Sequence, residues 1–184
     1  MTIGFAAYSQ TLTINGTVGV TASSWDVHYN PTAGVTPTAN STATATASIG
    51  NNATNGDNTN FTYEVTLSEP GKVYEATIYP HNYGTVTAYL NQITMGITNS
   101  TDPAANADND QISDYFAYSI KYGNDDPITA STAANAYTGK SLASGAEVPV
   151  VVRVEYLLPA TADKLPAHDQ TLTVTGSLVY SNVD

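Results

Sequence analysis

The sequence predicts an all-β fold, a two-sheet β-sandwich of jelly-roll type, and three observations carry that prediction. Apolar and polar residues alternate with a period of two in the stretches 61–67, 148–156 and 172–180. Residues that favour strands, Thr and Tyr, are abundant, whereas charged residues make up only 11% of the chain, against about 25% in an ordinary domain. Turn residues such as Pro-Gly and Asn-Gly separate the alternating stretches. The length of 184 residues suits one such domain.

The first third of the chain predicts strands of moderate strength. Alternation begins at 12–20, where Asn15-Gly16 marks a turn or a bulge. It continues at 25–29, where Trp25, Val27 and Tyr29 share one face. The Thr- and Ala-rich stretch 42–49 predicts one short edge strand, and the Asn-rich residues 51–57 predict a loop.

The remaining two thirds carry the clearest strand signals. Strands are predicted at 61–67, 73–79 and 85–98, with turns at 68–71 and 81–84 between them. The stretch 85–98 is either one long strand or two strands kinked at Met95-Gly96. Residues 99–110 predict a polar loop, 115–122 either a strand or a short helix, and 147–158 the strongest strand. A loop at 159–169 and a final strand at 172–180 complete the pattern.

Charge and composition exclude several classes of partner. The net charge is -11, and the five cations are not clustered, so the phosphate neutralisation that nucleic-acid binding needs is missing. The same scarcity argues against binding to anionic membrane surfaces. The chain has no cysteine, which excludes disulfides and thiolate sites. A surface of hydroxyls and amides with few charges is common on secreted proteins, so we expect an extracellular or cell-surface location.

The N-terminal residues allow two interpretations. Residues 3–7 resemble the end of the apolar region of a signal peptide, which would imply secretion, or they form an ordinary first strand. No stretch approaches the roughly 20 apolar residues of a membrane span.

The sequence offers no catalytic constellation. The histidines His28, His81 and His168 do not have the spacing of a zinc site, and neither a nucleophile elbow nor a glycine-rich phosphate loop occurs. We therefore expect a protein that is not an enzyme and has no catalytic residue, cofactor or metal. Carboxylates at Asp108, Asp110 and Asp114 leave a calcium loop as a weaker alternative to a solvated acidic loop.

Asparagine-linked glycosylation is the one modification that the sequence indicates. Three of its sequons begin in predicted loops, at Asn40, Asn52 and Asn99, where a glycan could be accommodated.

Two groups of residues resemble a known family. Ala7-Tyr8-Ser9 followed by the strand 11–14 is similar to the mature start of TasA/camelysin-type proteins. The stretches 67–71 (Leu-Ser-Glu-Pro-Gly) and 79–88 (Tyr-Pro-His-Asn-Tyr-Gly-Thr-Val-Thr-Ala) resemble the hairpin of that family, although Lys72 stands where the family often has an acid.

The resemblance implies a subunit of biofilm-matrix fibres, similar also to archaeal bundling pilins. It implies self-assembly by donor-strand complementation, in which an extended segment at residues 1–11 adds a strand to a neighbouring copy of the β-sandwich domain at 12–184. Ile3, Phe5, Ala7 and Tyr8 are the expected donor residues, because they are apolar and the segment has no charge. The alternative is a monomeric cell-surface module that binds glycans through loop aromatics such as Tyr83, Tyr115 and Tyr137.

Overall fold

The computed structural model describes residues 22–50, 60–67, 69–99, 116–129, 135–157 and 171–182. Every regular element in these ranges is a β-strand, which confirms the predicted all-β class. The strands are β1 (Val27–Tyr29), β2 (Thr36–Pro37), β3 (Thr44–Gly50), β4 (Asn60–Thr66), β5 (Val73–Ile78), β6 (Pro80–Asn82), β7 (Ala88–Asn99), β8 (Phe116–Tyr122), β9 (Ile128–Thr129), β10 (Asn135–Leu142), β11 (Val150–Tyr156) and β12 (Thr171–Ser181). In the same ranges there is no helix long and apolar enough to cross a bilayer.

The strands form three antiparallel sheets. One five-stranded sheet has the order β10-β7-β12-β4-β3, the other has the order β2-β5-β11-β8-β9, and β1 pairs with β6 in a separate ribbon. The longest pairing joins β12 to β7 from Leu172↔Asn99 to Ser181↔Tyr89, with an irregularity between Val179 and Tyr180. We refer to the sheets as the β7 sheet, the β11 sheet and the β1–β6 ribbon.

One hydrophobic core receives side chains from both large sheets. Strand β11 shows how the sequence determines which side chains enter the core. Val150, Val152 and Val154 are fully buried, while the residues between them are half-buried. This is the period-two pattern of a strand with one face on a core. Val65 and Leu90 bring the β7 sheet into the same cluster.

The predicted strands at 61–67, 73–79, 115–122, 147–158 and 172–180 are confirmed, with ends that differ by up to three residues. The prediction of a turn at 81–84 was partly wrong, because 80–82 pair with β1 before the chain turns. The predicted strand at 85–98 begins only at Ala88, since the residues before it wrap around the buried side chain of Asn82. The predicted strand at 12–20 and the acidic residues Asp108, Asp110 and Asp114 lie outside the described residues.

Besides β6, three strands were not predicted. Two of them, β2 and β9, are only two residues long, too short for an alternation to be visible. The third, β10, is an edge strand whose only fully buried apolar side chain among its described ones is Leu142. Its sequence, Asn-Ala-Tyr-Thr-Gly-Lys-Ser-Leu, therefore lacks a clear apolar face.

Candidate functional site

A stack of three rings lies on the outer side of the β1–β6 ribbon. Tyr29 and Pro80, which are paired across the ribbon, are buried, so the alternate pair His28 and His81 points away from the core. The ring of Tyr83 is 4.2 Å from that of His28 and 4.0 Å from that of His81, with nearly parallel planes in both cases. Two rings so close to a third would overlap if they shared one of its faces, so the imidazoles cover opposite faces of the phenol.

Each imidazole of this ring stack has a carboxylate beside it. His28 Nδ1 is 2.8 Å from Asp26 Oδ1, and His81 Nδ1 is 3.4 Å from Glu147 Oε2. Hydrogen bonds donated by Asn30 and by His81 lower the pKa of Glu147. Desolvation, followed by the charges of Glu147 and Asp26, raises the pKa of Tyr83 above its usual range. The phenol therefore stays protonated at neutral pH.

A buried amide braces the ribbon from below. Asn82 is completely buried, and its Nδ2 donates hydrogen bonds to the carbonyls of Val86 (2.8 Å) and Leu142 (2.9 Å). Its Oδ1 accepts a hydrogen bond of 3.0 Å from the backbone N–H of Gly84. Both polar atoms of the amide therefore have hydrogen-bond partners, so this buried polar group is compatible with stability.

Glycine is required at position 84 for close approach. A Cβ there would lie 2.6 Å from the Ser24 carbonyl oxygen and 2.8 Å from the Asp26 backbone nitrogen, both of which are main-chain atoms. The close approach allows the N–H groups of Tyr83 and Gly84 to donate to the Asp26 carbonyl, at 2.8 and 3.1 Å. The segment before β1 is thereby fixed to the segment after β6.

The geometry of the ring stack restricts what it can do chemically. A sugar ring binds to the open face of an aromatic residue. Tyr83 is 43% exposed, but its ring stacks against His28 and His81, so neither of its faces is open. The two imidazoles lie on opposite sides of the phenol, so they cannot both coordinate one small ion at the short distances that zinc requires. Consistently, no group of three or more potential metal ligands occurs within the described ranges.

A half-open cavity of about 90 Å³ lies on the core side of the ribbon. Its walls are formed by Val27, Tyr29, Pro80, Leu178 and Tyr180, together with His28. A cavity of about 150 Å³ holds benzene, so this one is large enough only for an aliphatic side chain or for water.

The long edges of the β7 sheet differ in chemistry. One edge, β10, carries Lys140, which pairs with Asp125 at 2.7 Å. Within the part of the chain that the structure describes, the other edge is β3, which has seven residues and no charge. Its inward residues Ala45, Ala47 and Ile49 pack against the core but are only partly buried.

The residues that the sequence singled out are distributed as follows. The expected donor residues Ile3, Phe5, Ala7 and Tyr8, and Asn52, lie outside the described residues. Asn40 is in a loop as predicted, and its Nδ2 donates to Glu75 Oε1 at 2.9 Å. Asn99 is the last residue of β7, paired with Leu172, so the prediction of a loop was wrong there.

The grouping of His28, Tyr83 and His81 was not predicted from the sequence. The sequence does contain one signal: His81 and Tyr83 are two residues apart, so in a strand they would share a face. That signal identifies the ring stack only when the pairing of His28 with His81 is also known.

No family model and no curated protein matches this chain.

Proposed function

We propose that this protein is a structural subunit of an extracellular filament or pilus, of the kind found in biofilm matrices. In this proposal the two large sheets form a jelly-roll β-sandwich, and the chain is secreted. Copies join when an extended N-terminal segment of one subunit adds a strand to the next. The observation that carries the proposal is the uncharged edge strand β3.

An edge strand presents unpaired backbone groups to any other extended chain. Soluble proteins usually protect such an edge with a charge, a proline or a short length, and β3 has none of these. The half-buried Ala45, Ala47 and Ile49 leave apolar surface that an added strand would cover. Because the alanines are small, they would leave room for larger side chains of the added strand.

The donor segment fits this edge chemically. Residues 2–11 carry no charge in a chain of net charge -11, and Ile3, Phe5 and Ala7 alternate along them. An added strand gains main-chain hydrogen bonds and places alternate side chains in a groove. Burying one large apolar side chain contributes roughly 1.5–3 kcal/mol. A head-to-tail contact whose rotation does not close produces a filament, which is the assembly we propose.

The first experiment removes the donor. Deletion of residues 2–10 should leave a folded monomer that forms no filaments in electron micrographs, whereas the full chain should polymerise under native conditions. Filaments of the truncated protein, or a full chain that stays monomeric, would contradict the proposal.

The second experiment changes the acceptor edge. Thr46 is exposed and pairs with the exposed Glu64, so Thr46→Lys keeps a favourable cross-strand pair while it places a charge on the edge. The matched control is Thr66→Lys, which puts the same charge on the interior strand β4 of the same sheet. We expect filament formation to fall with Thr46→Lys and to persist with Thr66→Lys. Equal polymerisation of the two variants would exclude β3 as the acceptor.

The second candidate function is a monomeric module that binds glycans. Tyr83 is a poor candidate for its binding surface because its faces are covered. The indole of Trp25, which is 46% exposed, is the aromatic group in the described ranges that favours this alternative. Retention of the monomer on immobilised polysaccharide, lost with Trp25→Ala, would support it over the filament.

A further inference from the structure

A half-open cavity lies on the outer face of the β11 sheet, where long polar side chains lie beside small ones. Arg153 of β11 pairs with Ser119 of β8. Two residues further along β11, on the same face, Glu155 pairs with Ala117 of β8. The step from the two long side chains to the two small ones leaves a cavity of about 160 Å³, which Tyr118 also lines.

The guanidinium of Arg153 is held at this cavity by two carboxylates. Its Nη1 donates to Glu75 Oε2 at 3.3 Å, and its Nη2 donates to Glu155 Oε2 at 2.9 Å. Glu75 is fixed in turn, because Thr38 Oγ1 and Asn40 Nδ2 donate to its other oxygen at 2.7 and 2.9 Å. Desolvation opposes the ionisation of Glu75, but these hydrogen bonds prevail and lower its pKa. The position of Arg153 is therefore set by an ionised carboxylate that is anchored on its far side.

The residues that line the cavity keep polar atoms available for a ligand. A guanidinium has five N–H donors, and the two carboxylates take two of those of Arg153. Among the residues that the structure describes, none forms a hydrogen bond with Glu155 Oε1 or with Ser119 Oγ. The cavity thus offers charged donors, a charged acceptor and a hydroxyl group side by side.

This set of atoms matches a hydroxylated ligand without charge. A hydroxyl group both donates and accepts, so neighbouring hydroxyls of a sugar can accept from Arg153 and donate to Glu155 at once. Hydrogen bonds to charged groups are the strong kind. The carboxylates of Glu155 and Glu75 would repel an anion, and a cation would compete with Arg153 for them. The volume is also suitable, since benzene fits in a cavity of about 150 Å³ and this one can therefore hold one six-membered ring.

We propose that this cavity binds one pyranose ring of a neutral polysaccharide, with Arg153 and Glu155 as the recognition residues and Ser119 as a third contact. The site goes beyond the proposed function and does not depend on it, because it lies on the β11 sheet and the acceptor edge β3 belongs to the β7 sheet. In a filament the site would repeat in every subunit. Contacts that are weak singly would then add up to firm retention of the polysaccharide.

The test is a titration of the full chain with the methyl glycosides of glucose, mannose and galactose, followed by saturation-transfer difference NMR. Ala117→Phe fills the cavity and leaves Arg153 and Glu155 in place. The matched control is Thr77→Phe, which adds the same ring to the same face on β5, at a residue that does not line the cavity. Glu155→Gln keeps the size of the side chain and removes its charge. Circular dichroism first checks that each variant is folded.

At least one glycoside should bind, and its binding should be lost with Ala117→Phe and kept with Thr77→Phe. Glu155→Gln should weaken it about tenfold, because a hydrogen bond to a charged group contributes a factor of that order; this variant decides the matter if Ala117→Phe does not fold. Failure of all three glycosides to bind overturns the proposal, and so does binding that survives both site variants or is lost only with Trp25→Ala. Competition by acetamide as strong as that of the glycoside would show recognition of an amide, as in a peptide, and would also overturn it. None of these outcomes depends on whether the chain forms filaments, so the two proposals can fail separately.

Discussion

Asn82 gives the sharpest test of how this structure is held together. Replacing it with alanine removes both Nδ2 donors and the Oδ1 acceptor, and it leaves the carbonyls of Val86 and Leu142 and the N–H of Gly84 without that partner. A buried polar group without a partner costs about 1–3 kcal/mol. The carbonyls of Val86 and Leu142 lose this donor, whereas the N–H of Gly84 keeps its hydrogen bond to the Asp26 carbonyl. Because water entering the vacated space can compensate part of the loss at the two carbonyls, we expect Asn82→Ala to lower the free energy of unfolding by about 2–4 kcal/mol. That is a large share of the roughly 5–15 kcal/mol of an ordinary domain.

The assay is urea unfolding followed by tyrosine fluorescence or circular dichroism. Asn91→Ala is the control, because Asn91 is an exposed asparagine in β7 and such a change should cost less than about 0.5 kcal/mol. Asn82→Asp separates the effect of hydrogen bonding from that of side-chain volume. The side chain keeps its size, but a carboxylate oxygen, which cannot donate, replaces the NH2 group that faces the carbonyls of Val86 and Leu142. We expect it to be at least as destabilising as alanine at neutral pH. If Asn82→Asp is as stable as the unaltered protein, the two donated bonds do not hold the turn and the reasoning is wrong.

Three further predictions concern charge and packing. Burial opposes ionisation of Glu75, but hydrogen bonds from Thr38, Asn40 and Arg153 prevail and lower its pKa. Its contribution to stability is therefore present above the unfolded pKa of about 4.5 and is lost as pH falls. When the free energy of unfolding is measured against pH, Glu75→Gln should lose less stability in acid than the unaltered protein. Desolvation raises the pKa of Tyr29 to about 12, so its contribution to stability is complete below the unfolded value of 10.0 and disappears as pH rises toward 12. The melting temperature should therefore fall over this alkaline range, and the fall should be smaller in Tyr29→Phe. Val152→Ala, at a position 1% exposed in the core, should cost about 2–3 kcal/mol in urea unfolding.

The sequence was sufficient for strands that have one face on the core. In β11 an apolar residue occupies every second position from Val150 to Tyr156, and these positions are the buried ones, while Val151, Arg153 and Glu155 between them are half-buried. The aromatic residues of 115–122 favoured a strand over a helix, and the structure has a strand there with Phe116, Ile120 and Tyr122 buried. In such segments the order of apolar and polar residue types directly predicts which side chains are buried.

Pairings between distant segments could not be predicted in the same way. The turn chemistry of His81-Asn82-Tyr83-Gly84 indicates a turn, and Gly84 does lie in one, but nothing local reveals that 80–82 pair with β1. The buried environment of Asn82 comes from Leu142, sixty residues away. The ring stack depends on that pairing too, so the candidate site could not be assembled from the sequence alone.

The four edges of the two large sheets bear on how copies of this chain can meet. At the edges of the β11 sheet, β2 and β9 are only two residues long, and Lys121 lies on β8, the strand next to β9. At one edge of the β7 sheet, β10 carries Lys140 in an ion pair. Among these edges β3 alone is both long and without charge.

An unprotected edge of this kind can be used in two ways, and they give different assemblies. If two copies paired β3 with β3, the contact would be isologous and growth would stop at a dimer. If β3 accepts a segment from elsewhere in a second copy, each subunit still offers a free edge and a free segment, and growth continues. Sedimentation of the chain lacking residues 2–10 separates the two, because β3-to-β3 pairing predicts a dimer that survives the deletion and is lost with Thr46→Lys. The uncharged, alternating residues 2–11 favour the second arrangement, since they supply a strand whose side chains can fill the space over Ala45 and Ala47.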